Sequence, residues 1–226
     1  AETGRVYLMN IDHCNSHSSF IDKVEMSNLC QEITLPTKPI QHIDDKTGEI
    51  ALCILSAINV GKIRDLSDLE VLCDLAVRSL DELIDFQQYP VNAAAIATRA
   101  RRSLGIGYIG LAHYLAKHGE FYGDEGAWKL VHDLSEAFQY YLIKSTVNLA
   151  KEKGACDYFK ATKYADGILP IDTYKTDVDE ISSPEYNCDW ETLRESILEH
   201  GIRHSTLSSQ MPSESSSVVS NATNGI

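Results

Sequence analysis

No apolar run in the 226 residues approaches the ~18 residues a membrane-spanning helix requires, so a membrane span is not expected. Basic excess is missing too. Lys and Arg number 20 against 33 Asp and Glu, a formal charge of −13. A groove built to neutralise nucleic-acid phosphates needs the opposite sign, so nucleic acid is disfavoured as a partner. The six cysteines (Cys14, Cys30, Cys53, Cys73, Cys156 and Cys188) contain no Cys-x-x-Cys pair. A chain this long does not need a disulfide framework, and a reducing cytoplasmic setting is expected. Ala1 to Asn10 lacks a charged-then-apolar leader layout. Internal repeats and low-complexity linkers are also missing. There is no initiating Met, and the chain stops in the Gly-bearing Ser220–Ile226. Both ends read as cut, so residues 1–226 are expected to be one partial domain.

What is present is an apolar content of 43%, enough for a sizeable core. Arg5–Ile11 alternates and reads as a strand, and Asn28–Leu35 alternates until Pro36 and Pro39 stop it. Glu49–Val60 is a nearly continuous apolar run, the pattern of a strand buried on both faces. Ser67–Phe86 carries apolar residues at helical spacing, with Ser67 and Glu70 placed as a capping box. Asn92–Ala116, Gly126–Lys153 (closed by Gly154) and Asp189–His200 also read as helices, and Ser205–Met211 as a weak strand. Strands separated by long helices predict an α/β layering.

Three places invite chemistry. In an extended segment Asn28, Cys30 and Glu32 would share one face, putting an amide, a thiol and a carboxylate together. That set could supply a hydrogen-bond donor, a redox or nucleophilic atom and a general base. A half-buried strand with a structural cysteine is the commoner meaning of such a pattern. Cys53, inside an apolar run, reads by default as a small hydrophobe. Pro212–Ser217 offers hydroxyls and free backbone N–H groups at a helix start, suited to phosphate, although an ordinary serine cap is commoner. Gly105-Ile106-Gly107-Tyr108-Ile109-Gly110 fits a dinucleotide fingerprint but lies in a helical pattern without a leading strand, so close helix packing is preferred. His13-Cys14-Asn15-Ser16-His17 sits in a polar, turn-rich setting without a matching ligand pair, and no metal site is expected. Tyr140-Tyr141 lies in an amphipathic helix, where packing explains it.

Several segments, taken together and in order, resemble the large subunit of class I ribonucleoside-diphosphate reductases. They are Asn28-Leu29-Cys30-Gln31-Glu32-Ile33, Leu35-Pro36-Thr37-Lys38-Pro39, Gly48–Cys53, Arg101–Gly107, Gly167–Tyr174, Met211–Ser216 and Ser220–Gly225. The resemblance implies part of a ten-stranded α/β barrel threaded by a finger loop, with Cys30 at the tip as the thiol that becomes the substrate-attacking radical. It implies Glu32 as general base on the ribose 3′-hydroxyl and Asn28 as a ribose-binding residue. Cys53 would be one member of the reducing cysteine pair, and Glu214, Ser215 and Ser216 would bind substrate, the serines near its diphosphate. No cofactor is expected in this chain itself. The implied partners are a metal-containing small subunit that supplies the radical, thioredoxin or glutaredoxin as reductant, and the remaining part of the large subunit. The second redox cysteine, the nucleotide-effector sites, the tyrosine relay and the C-terminal cysteines are implied to lie outside this sequence. A competing expectation is a non-catalytic assembly module that works only with a second chain.

Overall fold

The computed structural model describes residues 2–52, 54–183 and 185–226. In chain order its α-helices are α1 (Ile11–His17), α2 (Asp68–Phe86), α3 (Asn92–Arg101), α4 (Leu111–Lys117), α5 (Glu125–Lys153), α6 (Pro170–Thr173), α7 (Trp190–His200) and α8 (Glu214–Ser220). Two strands, β1 (Leu55–Asn59) and β2 (Gly105–Ile109), pair in parallel with Leu55 opposite Gly105 and Asn59 opposite Ile109. Parallel strands need a crossover, which α2 and α3 provide.

The core follows from side-chain spacing. Leu69, Cys73, Val77, Leu80 and Ile84 line one stripe of α2, and Leu134, Phe138, Leu142 and Val147 line the facing side of α5. Each fully buried aliphatic chain contributes roughly 1.5–3 kcal/mol. Every residue of β2 is buried, as expected of a strand covered on both faces. On its other edge runs 204–211, with a parallel bridge from Ile106 to Ser208 and bonds from the Leu104 N–H to the Thr206 carbonyl (3.0 Å) and the Ile106 N–H to the Leu207 carbonyl (2.8 Å).

Several expectations need correction. Residues 5–10 are not a strand, and Ile11 begins a helix. Val6 and Leu8 are 60% and 86% exposed; no neighbouring strand among the described residues takes up their backbone groups, and an unpaired strand is not stable. Among the described residues, the apolar run from Glu49 forms a strand only at Leu55–Asn59. The expected capping box is not made: the Ser67 hydroxyl donates to Asp65 and accepts no N–H from the helix. The helix expected over Asn92–Ala116 breaks in two around β2. Arg102 ends α3 in the left-handed region (φ 47°), held there by Asp81 and Asp85, and Gly110 (φ 84°) opens α4. The glycines are close-packed as expected, but strand against strand. A Cβ on Gly105 would lie 2.6 Å from Leu55 Cδ2, and one on Gly107 would collide with the Ser209 carbonyl. Residues Ser205–Met211 make a bridged edge segment rather than a named strand. Gly154 and Gly201 close α5 and α7 as expected, and Asp189 caps α7 through the Thr192 N–H at 3.0 Å.

Asp81 is the polar centre of the fold. Its carboxylate is fully buried and accepts from Arg102 Nε (2.7 Å), Lys153 Nζ (3.0 Å), Arg203 Nε (3.1 Å) and His204 Nε2 (3.1 Å). Burial pushes its pKa up, but hydrogen bonds from His204 and Lys153 and the Arg102 charge outweigh that and hold it well below the usual carboxylate range. Burial lowers the pKa of His204, so the ring is neutral near pH 7. The network assigns its proton to Nε2, because Thr146 Oγ1 accepts from the Arg203 and His204 amides and is left to donate to Nδ1 at 2.8 Å.

Candidate active site

Residues 22–49 leave the main core as a long excursion and return. Its far end is a tight turn: the Asn28 N–H donates to the Ile33 carbonyl (3.2 Å), the Gln31 N–H to the Asn28 carbonyl (3.2 Å), and the Ile33 N–H to Asn28 Oδ1 (3.1 Å). Gln31 is left-handed, φ 64°. The expected extended face shared by Asn28, Cys30 and Glu32 is therefore not formed. An asparagine side chain that captures a nearby backbone N–H favours a turn over a ladder. Cys30 instead stands exposed at the tip, beside Leu29 (77% exposed), with Asn28 and Glu32 on the two legs.

The legs differ in what they offer a ligand. Asn28 spends Oδ1 on the Ile33 amide, so its Nδ2 donors are what it can present. Glu32 Oε2 is buried and has no hydrogen-bond partner, a costly state that a ligand hydroxyl would relieve. The Glu32 carbonyl accepts from Ser209 Oγ at 2.9 Å. That bond ties the turn to the edge segment leading into α8.

Glu214, Ser215 and Ser216 form the exposed first turn of α8. Ser213 Oγ donates to the Met211 carbonyl (2.9 Å) instead of capping the helix, so the serine-cap alternative is not realised. The segment runs parallel to β2 and leads to α8 at the C-terminal end of the strands. There Asn59 and Gly110 lie, and the Gly110 N–H donates to the Thr223 carbonyl at 3.0 Å. In parallel barrels that end carries the site. Cys53 lies outside the described residues.

The other cysteines differ in setting from Cys30. Burial pushes the Cys73 thiol up to about 12, and burial likewise raises Cys156 and Cys188 to about 11. Residues His13–His17 fall in a helix after all, contrary to the expected turn-rich setting, yet no group of three metal-binding side chains occurs among the described residues. Tyr140 packs on Tyr141 and Trp190, ring centroids 5.5 and 5.4 Å apart. A cavity of about 570 Å³ lies between the limbs of the excursion, lined by Asn28, Ile33, Leu35, Lys38 and Ile50 among others. A larger one of about 770 Å³ lies beside α5, lined by Trp128, His132 and Tyr186. It contains none of Asn28, Cys30, Glu32, Glu214, Ser215 and Ser216, and its buried carboxylate, Glu136, is committed to the Asn187 and Cys188 amides at 2.9 Å.

The sequence pattern missed Ser209, and it missed Arg101 and Glu49 as a buried pair. Arg101 Nε donates to Glu49 Oε2 at 2.7 Å. Burial raises the Glu49 pKa, but the Arg101 and Lys38 hydrogen bonds outweigh it and the net shift is downward. A charged pair of adjacent arginines after an alanine-rich helix was the available signal. Ser209 sits in an unremarkable polar stretch that gave none.

Helices over a parallel pair of strands, with a thiol-bearing turn tied to the segment on their edge, make a mixed α/β domain. All of residues 1–226 match the family model for the ribonucleotide reductase barrel domain. The chain is 60% identical over 229 residues to the ribonucleoside-diphosphate reductase subunit alpha of Haemophilus influenzae, covering 100% of this chain and 30% of that protein. Identity is 58% to ribonucleoside-diphosphate reductase 1 subunit alpha of Escherichia coli, with the same coverage, and 44% to the subunit alpha of Enterobacteria phage T4, covering 99% and 29%. The chain belongs to the ribonucleotide reductase family, in its barrel domain. It spans about 30% of the length of these curated relatives.

Proposed function

We propose that this chain is catalytic-core substance of a ribonucleoside-diphosphate reductase, converting ribonucleoside diphosphates to deoxyribonucleoside diphosphates by thiyl-radical chemistry in the cytoplasm. The observation that carries the reading is the Asn28–Ile33 turn, with the Cys30 thiol exposed at its tip and an unpartnered Glu32 carboxylate oxygen beside it. The names of the curated relatives support the substrate class.

The thiyl radical would form by loss of the Cys30 S–H hydrogen atom, the oxidising equivalent coming from a separate, metal-containing small subunit. Cys30 then takes the 3′-hydrogen: the S–H bond forms, and the C3′–H bond breaks to leave a carbon radical. Glu32 accepts the 3′-hydroxyl proton, and Asn28 Nδ2 holds the ribose hydroxyls in register. The 2′-hydroxyl is protonated and leaves as water. Cys53 and a partner cysteine supply one proton to the leaving 2′-oxygen and one hydrogen, with the electrons, to C2′ and end as a disulfide; Glu32 returns its proton to the 3′-oxygen and Cys30 its hydrogen to C3′. Ser215 and Ser216 hydroxyls, with Glu214, receive the substrate at the uncapped start of α8. Thioredoxin or glutaredoxin re-reduces the disulfide, and nucleotide effectors act on other parts of the large subunit. The remaining part of the large subunit would have to enclose the exposed turn, keeping the radical from solvent and strengthening the hydrogen bonds to ribose.

The test is Cys30→Ser in the native polypeptide assembled with its small subunit. Nucleotide reduction is expected to vanish while nucleotide binding persists. Retained turnover overturns the reading.

A further inference from the structure

The excursion carrying Cys30 has little core of its own. Phe20, Val24, Ile33 and Leu35 form a small cluster separate from the main one, joined by Met9 and Ala51. Such a cluster cannot by itself fix a turn against the barrel. Backbone bonds hold each root separately, Ile21 N–H to the Ala161 carbonyl (3.0 Å) and Ile50 N–H to the Ala93 carbonyl (3.2 Å), but one guanidinium joins the two roots to each other. Arg101 Nη2 donates to Asp22 Oδ2 at 2.7 Å, on the outgoing limb, and Nε donates to Glu49 Oε2 at 2.7 Å, on the returning limb. Its guanidinium carbon stacks 4.2 Å from the Tyr158 ring centre, and the Tyr158 hydroxyl donates to Glu49 Oε1 at 2.9 Å. Lys38, on the same returning limb, pairs with Glu49 through backbone bonds of 3.0 Å in both directions.

Arg101 is 3% exposed and Glu49 2%, whereas Asp22 is 38% exposed. The guanidinium is also stiff by its place in the chain: it is the last residue of α3, and the next residue is locked in the left-handed region. A planar fork with fixed donor directions can hold two carboxylates in a set relation, which a lysine cannot.

We propose that Arg101 is a positioning residue, pinning both roots of the Asn28–Ile33 turn so that Cys30 meets the ribose C3′ at reactive distance. This rests on the reading of Cys30 given above. Arg101 touches no reacting atom; it acts through Asp22 and Glu49.

Removing Arg101 would leave the buried Glu49 charge to Lys38 and Tyr158 alone and put folding itself at risk, so the informative variant is Asp22→Asn at the exposed end of the pin. It is tested in the native polypeptide assembled with its small subunit, with Asp22→Glu and Cys30→Ser in parallel. Small misplacements of reacting groups cost up to ~100-fold in rate. Asp22→Asn is therefore expected to lower kcat about tenfold with KM within about twofold, and Asp22→Glu to recover most of the loss. Amide exchange should quicken in residues 22–35 and stay unchanged in α2 and α5. Wild-type kcat in Asp22→Asn, or faster exchange throughout the barrel, overturns the pin. Activity in Cys30→Ser overturns the reading beneath it instead, and the exchange pattern still reports on the pin by itself.

Discussion

Replacing Asp81 with asparagine keeps the shape of the side chain and removes the one buried anion that three cations and His204 share. Arg102, Lys153 and Arg203 all reach its oxygens within 3.1 Å. Asparagine would turn an amide N–H₂ toward one or more of them. The remaining anions, Asp85 and Glu82, are exposed at the rim, 51% and 70%, and cannot replace a buried charge. Breaking a buried pair from one side costs about 3–5 kcal/mol. At ~2–4 °C per kcal/mol for a chain of this size, Tm should fall by ~6–20 °C. The pH dependence is a second readout. Because the folded Asp81 pKa lies below its unfolded value near ~3.9, its stabilisation is fully present above that value and is lost as pH falls toward the folded pKa. Thermal unfolding of wild type and Asp81→Asn should thus show a gap that is flat from about pH 5 to 8 and closes below about pH 4. A Tm change under about 2 °C, or a gap indifferent to acid, would refute the reasoning.

Gly107→Ala should cost roughly 1–3 kcal/mol, because the new methyl meets the Ser209 carbonyl, a backbone atom with no freedom to swing away. Urea denaturation checks this, and an unchanged midpoint contradicts the close strand packing. A thiol-alkylating reagent at mildly alkaline pH should modify Cys30 well before Cys73 and Cys156, since burial raises those two thiols to about 12 and about 11. Peptide mass spectrometry gives the order, and equal rates at Cys73 would contradict the burial.

Periodicity shows what it can reach. The long stripes of α2 and α5 were legible because a buried face repeats every three to four residues over many turns. The break at Arg102 was not, because a left-handed arginine is held by Asp81 and Asp85, far away in the chain. The glycines of β2 looked helical because they follow an alanine-rich helix; only the approach of β1 and the Ser209 segment explains them. The reading of residues 5–11 failed for the opposite reason: alternation marks a strand only where another strand lies alongside. At the site, Asn28, Cys30 and Glu32 were legible as chemistry, but their arrangement was not. Alternation put them on one face, while the Asn28 side chain folds them into a turn. Ser209 and the Arg101–Glu49 pair were hidden because their partners are distant in sequence.

The most direct test of the account is ribonucleoside diphosphate reduction by the assembled enzyme carrying Cys30→Ser, measured beside Cys73→Ser and with nucleotide binding followed in parallel. The account predicts that the serine at position 30 binds nucleotide and produces no deoxyribonucleotide, while the buried Cys73 variant, if folded, still turns over. Deoxyribonucleotide formation without the Cys30 thiol would contradict it.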